Sequence, residues 1–208
     1  MTTVVVLAKE PVAGRVKTRL CPPCTPHEAA DLAAAALADT LAAVDASGCS
    51  SRVLAFDGDA SPWLLDGWHA LPQVGGDLGC RLDAAVGTVV GPVLVVGMDT
   101  PQLTPSILDV AFEQLRRPDT DVVLGPAEDG GYWAIGFRAR RATAFDGVPM
   151  SRPDTASRQR ARLDELGLRI TELEQLRDVD TFDDARAVAR VAPRSAFART
   201  FHRTQATA

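Results

Sequence analysis

PVLVVGMDTPQL, residues 92–103, decides how the rest of the chain is read. Residues 93–96 form a short apolar run cut by Gly97, the pattern of a strand buried on both faces. Asp99, Thr100 and Pro101 follow at once, so a carboxylate sits where the strand stops. In open parallel α/β sheets ligands bind beyond the carboxyl ends of the strands, which makes Asp99 a candidate for holding a hard metal ion and the phosphates it bridges. Asp is also a frequent turn former, and Asp99 in that role would shape the turn before the helix that Thr104 and Pro105 open.

Working outward, apolar runs alternate with helical patterns. Residues 3–8 (TVVVLA), 51–56, 68–71, 121–124 and 132–137 read as strands, and 168–173 as a further one. The first and the 93–96 run are expected at the centre of one mainly parallel sheet. Thr25-Pro-His-Glu28 is a capping box with proline at the first helical position, opening a helix to about residue 47. Leu32, Ala33, Ala36, Leu37, Leu41 and Val44 recur along it at helical spacing and form its buried stripe. Helices are also expected over 104–116 and 154–166. Thr181 caps a last helix, and residues from 192 onward read as a frayed tail. With no linker composition and no internal repeat, one domain over 1–191 and a tail over 192–208 are expected. The fold class is a single-domain α/β three-layer sandwich.

The loop after the first strand, KEPVAGRVKTR (residues 9–19), carries four cations and one anion in a chain whose net charge is −5. Position at a strand end and inversion of local charge point together to a polyphosphate. Backbone N–H groups of the Gly14 loop, with Lys9, Arg15, Lys17 and Arg19, would make charge-assisted hydrogen bonds to it. The spacing Gly14-Arg-Val-Lys17-Thr18 is not a P-loop, which needs GxxxxGK[ST], and no GxGxxG follows a strand. Further on, QVGGDLG (residues 73–79) places adjacent glycines at a helix N-terminus. Gln73 is positioned to read a base or sugar edge, and Asp77 caps the helix. GPAEDGGYW (residues 125–133) puts acids, glycines and aromatics at another strand end, the composition of an acceptor or sugar pocket. Asp180 lies just before the Thr181 cap, where it can fold back and share a cation with Asp99.

Composition narrows the function classes. The acidic balance argues against general nucleic-acid binding. No apolar run is long enough to span a bilayer and no secretory leader pattern opens the chain, so a cytoplasmic protein is expected. Cys21, Cys24, Cys49 and Cys80 are scattered, and the single CxxC has no second pair beside it, so reduced structural thiols are expected rather than zinc or redox chemistry.

Taken in order, AKEPVAGRVKTRL, QVGGDLGCRL, VVGMDTPQL, GPAEDGGYW and DVDTFDDA resemble the small bacterial glycosyltransferase-like family related to 2-phospholactate guanylyltransferase. The resemblance covers roughly residues 3 to 190. It implies a GT-A-type nucleotide-diphosphosugar transferase fold. It places Lys9, Gly14, Arg15, Lys17, Thr18 and Arg19 on nucleotide phosphates, and Gln73, Gly76 and Asp77 near the nucleoside. Asp99 and Asp180 would hold Mg2+ or Mn2+ and, with Lys17, carry catalysis. Asp129, Gly130, Gly131, Tyr132 and Ser151 would line the acceptor side. One departure is plain: Met150-Ser151-Arg152 stands where a Trp-Ser-Thr-like run is expected.

The implied partners are a nucleoside triphosphate or nucleotide sugar and a small anionic acceptor, with neither nucleic acid nor membrane. Nucleotidyl transfer with release of pyrophosphate is the expected reaction, because four cations in the first loop suit a triphosphate. Glycosyl transfer from a nucleotide sugar is the alternative, and a non-catalytic nucleotide-binding module a second.

Overall fold

The computed structural model describes residues 2–206. One seven-stranded sheet forms its centre, with strand order β3-β2-β1-β4-β6-β5-β7. The strands are β1 Thr3–Lys9, β2 Ser51–Asp57, β3 His69–Pro72, β4 Val93–Gly97, β5 Val122–Pro126, β6 Tyr132–Phe137 and β7 Ile170–Glu172. All run parallel except β6, which is antiparallel to both β4 and β5. The expected centre is met: Val5 of β1 pairs with Val53 of β2 on one side and Val95 of β4 on the other.

Alternation along β1 explains the three layers. Val4 and Val6 point to one face and Val5 to the other, and all three are fully buried. On the first face Val4 and Val6 pack with Leu37 and Leu41 of α1 (Pro26–Asp45) and Leu108 and Phe112 of α3 (Pro105–Arg116). On the second, Val5 and Val95 pack with Leu82 and Val86 of α2 (Leu78–Gly87) and Leu163 of α4 (Thr155–Glu165). The Thr25 capping box forms as expected: Thr25 accepts from the Glu28 N–H and the Glu28 carboxylate accepts from the Thr25 N–H. Cys24 is buried where α1 meets α5 (Phe182–Val191), and all four cysteines are free thiols.

The end of the chain corrects the expectation of a frayed tail. Residues Ala196–Ala206 form α6, whose Phe197 and Phe201 are buried against Leu32 of α1 and Val188 of α5. The Asp39 carboxylate of α1 accepts the N–H groups of Ala196 and Phe197, both at 2.8 Å, satisfying two donors that the first turn of a helix leaves open. The apolar spacing of Phe197, Ala198 and Phe201 was the available signal.

Candidate functional site

The parallel strands end on one edge of the sheet, and the chain reversal at β6 brings Tyr132 to that same edge. Two adjoining cavities open there, of about 480 and 500 Å³. The first is walled by Leu7, Leu78, Leu82 and Val95, with Gln73, Gly76 and Arg81 at its polar side. The second is charged, lined by Lys9, Lys17, Thr18 and Arg19 together with Asp99, Asp129, Asp178 and Asp180. Lys9, Asp99, Tyr132, Ser151 and Asp178 line both.

Lys17 is the pivot of the charged half. Its backbone is left-handed (φ 47°), and the next residues, Thr18–Leu20, form a 3-10 turn anchored by the fully buried Leu20. That bend turns the lysine inward, leaving its side chain only 8% exposed, with Nζ 2.7 Å from Asp99 Oδ1 and 3.4 Å from Asp180 Oδ1. Burial alone would push the ammonium's pKa down, but the charges of Asp99 and Asp180 and their hydrogen bonds outweigh it and hold the pKa above the usual lysine value. Arg19 Nη1 reaches the other oxygen of Asp180 at 3.1 Å.

Two residues far apart in sequence meet because a short segment crosses the strand ends. The Leu176 N–H donates to Pro126 O, and the Val179 N–H donates to Asp99 O at 2.9 Å. Val179 is buried, so Asp178 and Asp180 on either side of it turn the other way, into the cleft. Asp180 therefore reaches Lys17 beside Asp99, and the two carboxylates are bridged by one nitrogen. Asp178 was not singled out from the sequence, although the D-V-D alternation around a buried valine was the signal for it.

Asp129, Asp178 and Asp180 each offer an oxygen, and the three lie within 4.8 Å of one another. Burial, then the charges of Asp129 and Asp180, push the Asp178 carboxyl up to about 6. An all-carboxylate donor set suits hard divalent cations such as magnesium and manganese. Asp129 is held by its own turn, accepting from the Gly131 N–H at 2.7 Å. Gly130 between them is left-handed (φ 89°) and packs so closely on Pro153 that a Cβ would collide with its carbonyl oxygen. Ser151, also left-handed (φ 58°), completes this wall.

Other expected residues are placed differently. Gln73 Nε2 donates to Ala8 O at 2.7 Å and Ala55 O at 2.9 Å, stitching β1 to β2, so both amide hydrogens are committed to backbone. Asp77 caps α2, accepting from the Cys80 N–H at 2.9 Å, and is absent from the lining of both cavities. Gly14 and Arg15 are exposed on the outer part of the first loop and line neither cavity. Gly76 (φ 106°) lines the apolar one.

A family described as uncharacterised proteins conserved in bacteria, DUF2064, matches residues 40–152. The chain belongs to the DUF2064 family. No curated protein matches its sequence. Among solved structures, this DUF2064 chain is similar to a protein from Desulfovibrio desulfuricans G20 provisionally named a nucleotide-diphospho-sugar transferase. The identity is 26% and the TM-score 0.90, over 99% of this chain and 95% of that one. It is also similar to CMP:2-keto-3-deoxy-manno-octonic acid synthetase complexed with CTP, at 15% identity and a TM-score of 0.61 over 92% and 98% of the two chains. A third is the manganese complex of Rv0371c from Mycobacterium tuberculosis H37Rv, at 24% identity and a TM-score of 0.55 over 91% and 98%. The last two likenesses are of fold alone. Together they give this member of DUF2064 the nucleotide-diphosphosugar transferase fold, as its motifs implied. No described helix is long and apolar enough to cross a membrane.

Proposed function

We propose that the protein is a metal-dependent nucleotidyltransferase that moves a nucleoside monophosphate from a nucleoside triphosphate to a small phosphorylated acceptor and releases pyrophosphate. The observation that carries this reading is Lys17 held between Asp99 and Asp180 at the ends of β1 and β4, beside a cavity with apolar walls. A nucleotide has the same polarity, with a flat base at one end and anionic phosphates at the other. Lys9, Lys17, Thr18 and Arg19 meet the phosphates through charge-assisted hydrogen bonds. Asp129, Asp178 and Asp180, with Asp99 alongside, would hold magnesium or manganese. A cation there would supply charge neutralisation for the triphosphate and the departing pyrophosphate.

The chain's own groups hold the reactants in line. The wall of Asp129, Gly131, Tyr132, Ser151 and Arg152 takes the acceptor, with Arg152 supplying a cation for its phosphate. An acceptor phosphate oxygen bonds to the α-phosphorus as the bond to the bridging oxygen breaks. The electron pair leaves with pyrophosphate, and no protein nucleophile is required. The named activity of the Desulfovibrio relative favours a second reading, glycosyl transfer from a nucleotide sugar.

The test is to incubate the protein with each nucleoside triphosphate or nucleotide sugar, a panel of small phosphorylated acceptors, and magnesium or manganese. Pyrophosphate release supports nucleotidyl transfer. Nucleoside diphosphate release supports glycosyl transfer, and release of neither with any pair overturns both.

A further inference from the structure

Resting on that nucleotide reading, and naming its base class, we propose that Arg81 is the residue that reads the base. We propose further that it selects bases carrying a ring carbonyl, against adenine. Arg81 stands on α2 and lines the first cavity beside Gln73 and Gly76. Its guanidinium is fixed by three contacts: Nε donates to Gly76 O at 3.3 Å, and Nη1 donates to Asp57 Oδ2 at 3.1 Å and Gln73 Oε1 at 3.2 Å. Those contacts use the Nε hydrogen and both Nη1 hydrogens. The two on Nη2 have no partner among the described residues, and the side chain is 31% exposed.

Gln73, the polar side chain that touches Arg81 in this lining, is excluded as a donor because both its amide hydrogens are bonded to Ala8 O and Ala55 O. Its carbonyl oxygen is already the acceptor for Arg81. At this end of the cavity Arg81 offers donors alone, since a guanidinium cannot accept. Guanine, cytosine and uracil each present a carbonyl oxygen that can take the Nη2 hydrogens. Adenine can accept only at its ring nitrogens and presents an amino group where guanine has its carbonyl, so in the pose that offers that carbonyl N–H would face N–H. A preorganised donor that meets no acceptor is left desolvated and unpaired, which is how a site rejects an analogue lacking one group.

The test is calorimetric titration of the wild-type protein with ATP, GTP, CTP and UTP in magnesium, repeated on Arg81→Met, with thermal melts confirming that the variant folds. In the wild type at least one carbonyl-bearing triphosphate should bind tenfold or more tighter than ATP. In Arg81→Met that gap should close to about threefold or less. ATP binding as tightly as the best of the other three in the wild type overturns the inference whatever the variant does. A gap that survives in folded Arg81→Met, or an equal loss for all four triphosphates, overturns it too. Binding of none of the four by the wild type sinks the nucleotide reading itself, and this inference with it.

Discussion

Lys17 Nζ stands 2.7 Å from Oδ1 of Asp99, an ion pair between a buried cation and a carboxylate that remains 42% exposed. The lysine faces the cleft with Asp180 as its second partner, so it is charged and already aimed at whatever anion enters.

Replacing Lys17 with methionine removes that aimed charge. Nucleotide affinity should fall by about 1.5–3 kcal/mol, the value of a hydrogen bond to a charged group. Titration calorimetry in magnesium checks it, and unchanged affinity would remove Lys17 from phosphate binding.

Asp99→Asn and Asp178→Asn separate two roles. If the cation is held by Asp129, Asp178 and Asp180, Asp178→Asn should weaken manganese binding at least about tenfold, while Asp99→Asn weakens it less. Both should depress turnover and leave the thermal midpoint of the metal-free protein no lower by more than a few degrees. Manganese titration followed by paramagnetic resonance reads the difference, and equal affinity of Asp178→Asn and wild type would take Asp178 out of the site.

The same Asp178 gives a pH signature. Its folded value of about 6 lies above the ordinary aspartate value of about 3.9 that it takes in the unfolded chain. Between those limits the folded protein binds more protons, so this group's contribution to stability falls as pH rises, and the loss is complete above the folded value. The stability gained by Asp178→Asn in metal-free protein should therefore be absent near pH 4, grow to about pH 7 and then level off. A gain independent of pH across melts in this range would contradict the assignment.

Gly130→Ala should destabilise the protein by at least about 2 kcal/mol, from left-handed strain and the collision with Pro153 together. Gly14→Ala is the control: it is also left-handed (φ 76°) but meets nothing within 4 Å, and should cost about 1 kcal/mol. Denaturant unfolding of both variants gives the comparison, and equal losses would mean that the Pro153 contact is soft.

Asp39→Ala should cost about 1–2 kcal/mol by uncapping α6. Loss of protection from hydrogen exchange at Ala196 and Phe197 should accompany it. An unchanged unfolding midpoint would show that α6 is held by its phenylalanines alone.

How much of this could be read beforehand follows from the range of each signal. The β1 and β4 runs and the Thr25 and Thr181 caps are local patterns, and they hold to within a residue or two in the structure. The antiparallel insertion of β6 between β4 and β5 has no local signature, because pairing partners are chosen by burial across the sheet. The grouping of Asp99 with Asp180 was legible from position at a strand end and before a cap. Asp178 and Asp129 joined them only once the 176–180 segment had a register. Gln73 misled for a chemical reason: an amide suits a base edge, but this one lies where two strand-end carbonyls need donors. Arg81 was hidden inside a helix, where arginine ordinarily faces solvent.

The hydrogen bond from the Val179 N–H to Asp99 O also orders events in time. A chain emerging from the ribosome can pair β1, β2 and β4 early, yet Lys17 and Asp99 then face no second carboxylate. The acidic pocket closes only when the segment around Val179 has been made and laid across the finished strands, a contact of high sequence separation and therefore late. A chain ending before that segment lacks Asp178 and Asp180, two of the three acids of the cluster, so competence waits on one of the last parts of the chain to be made.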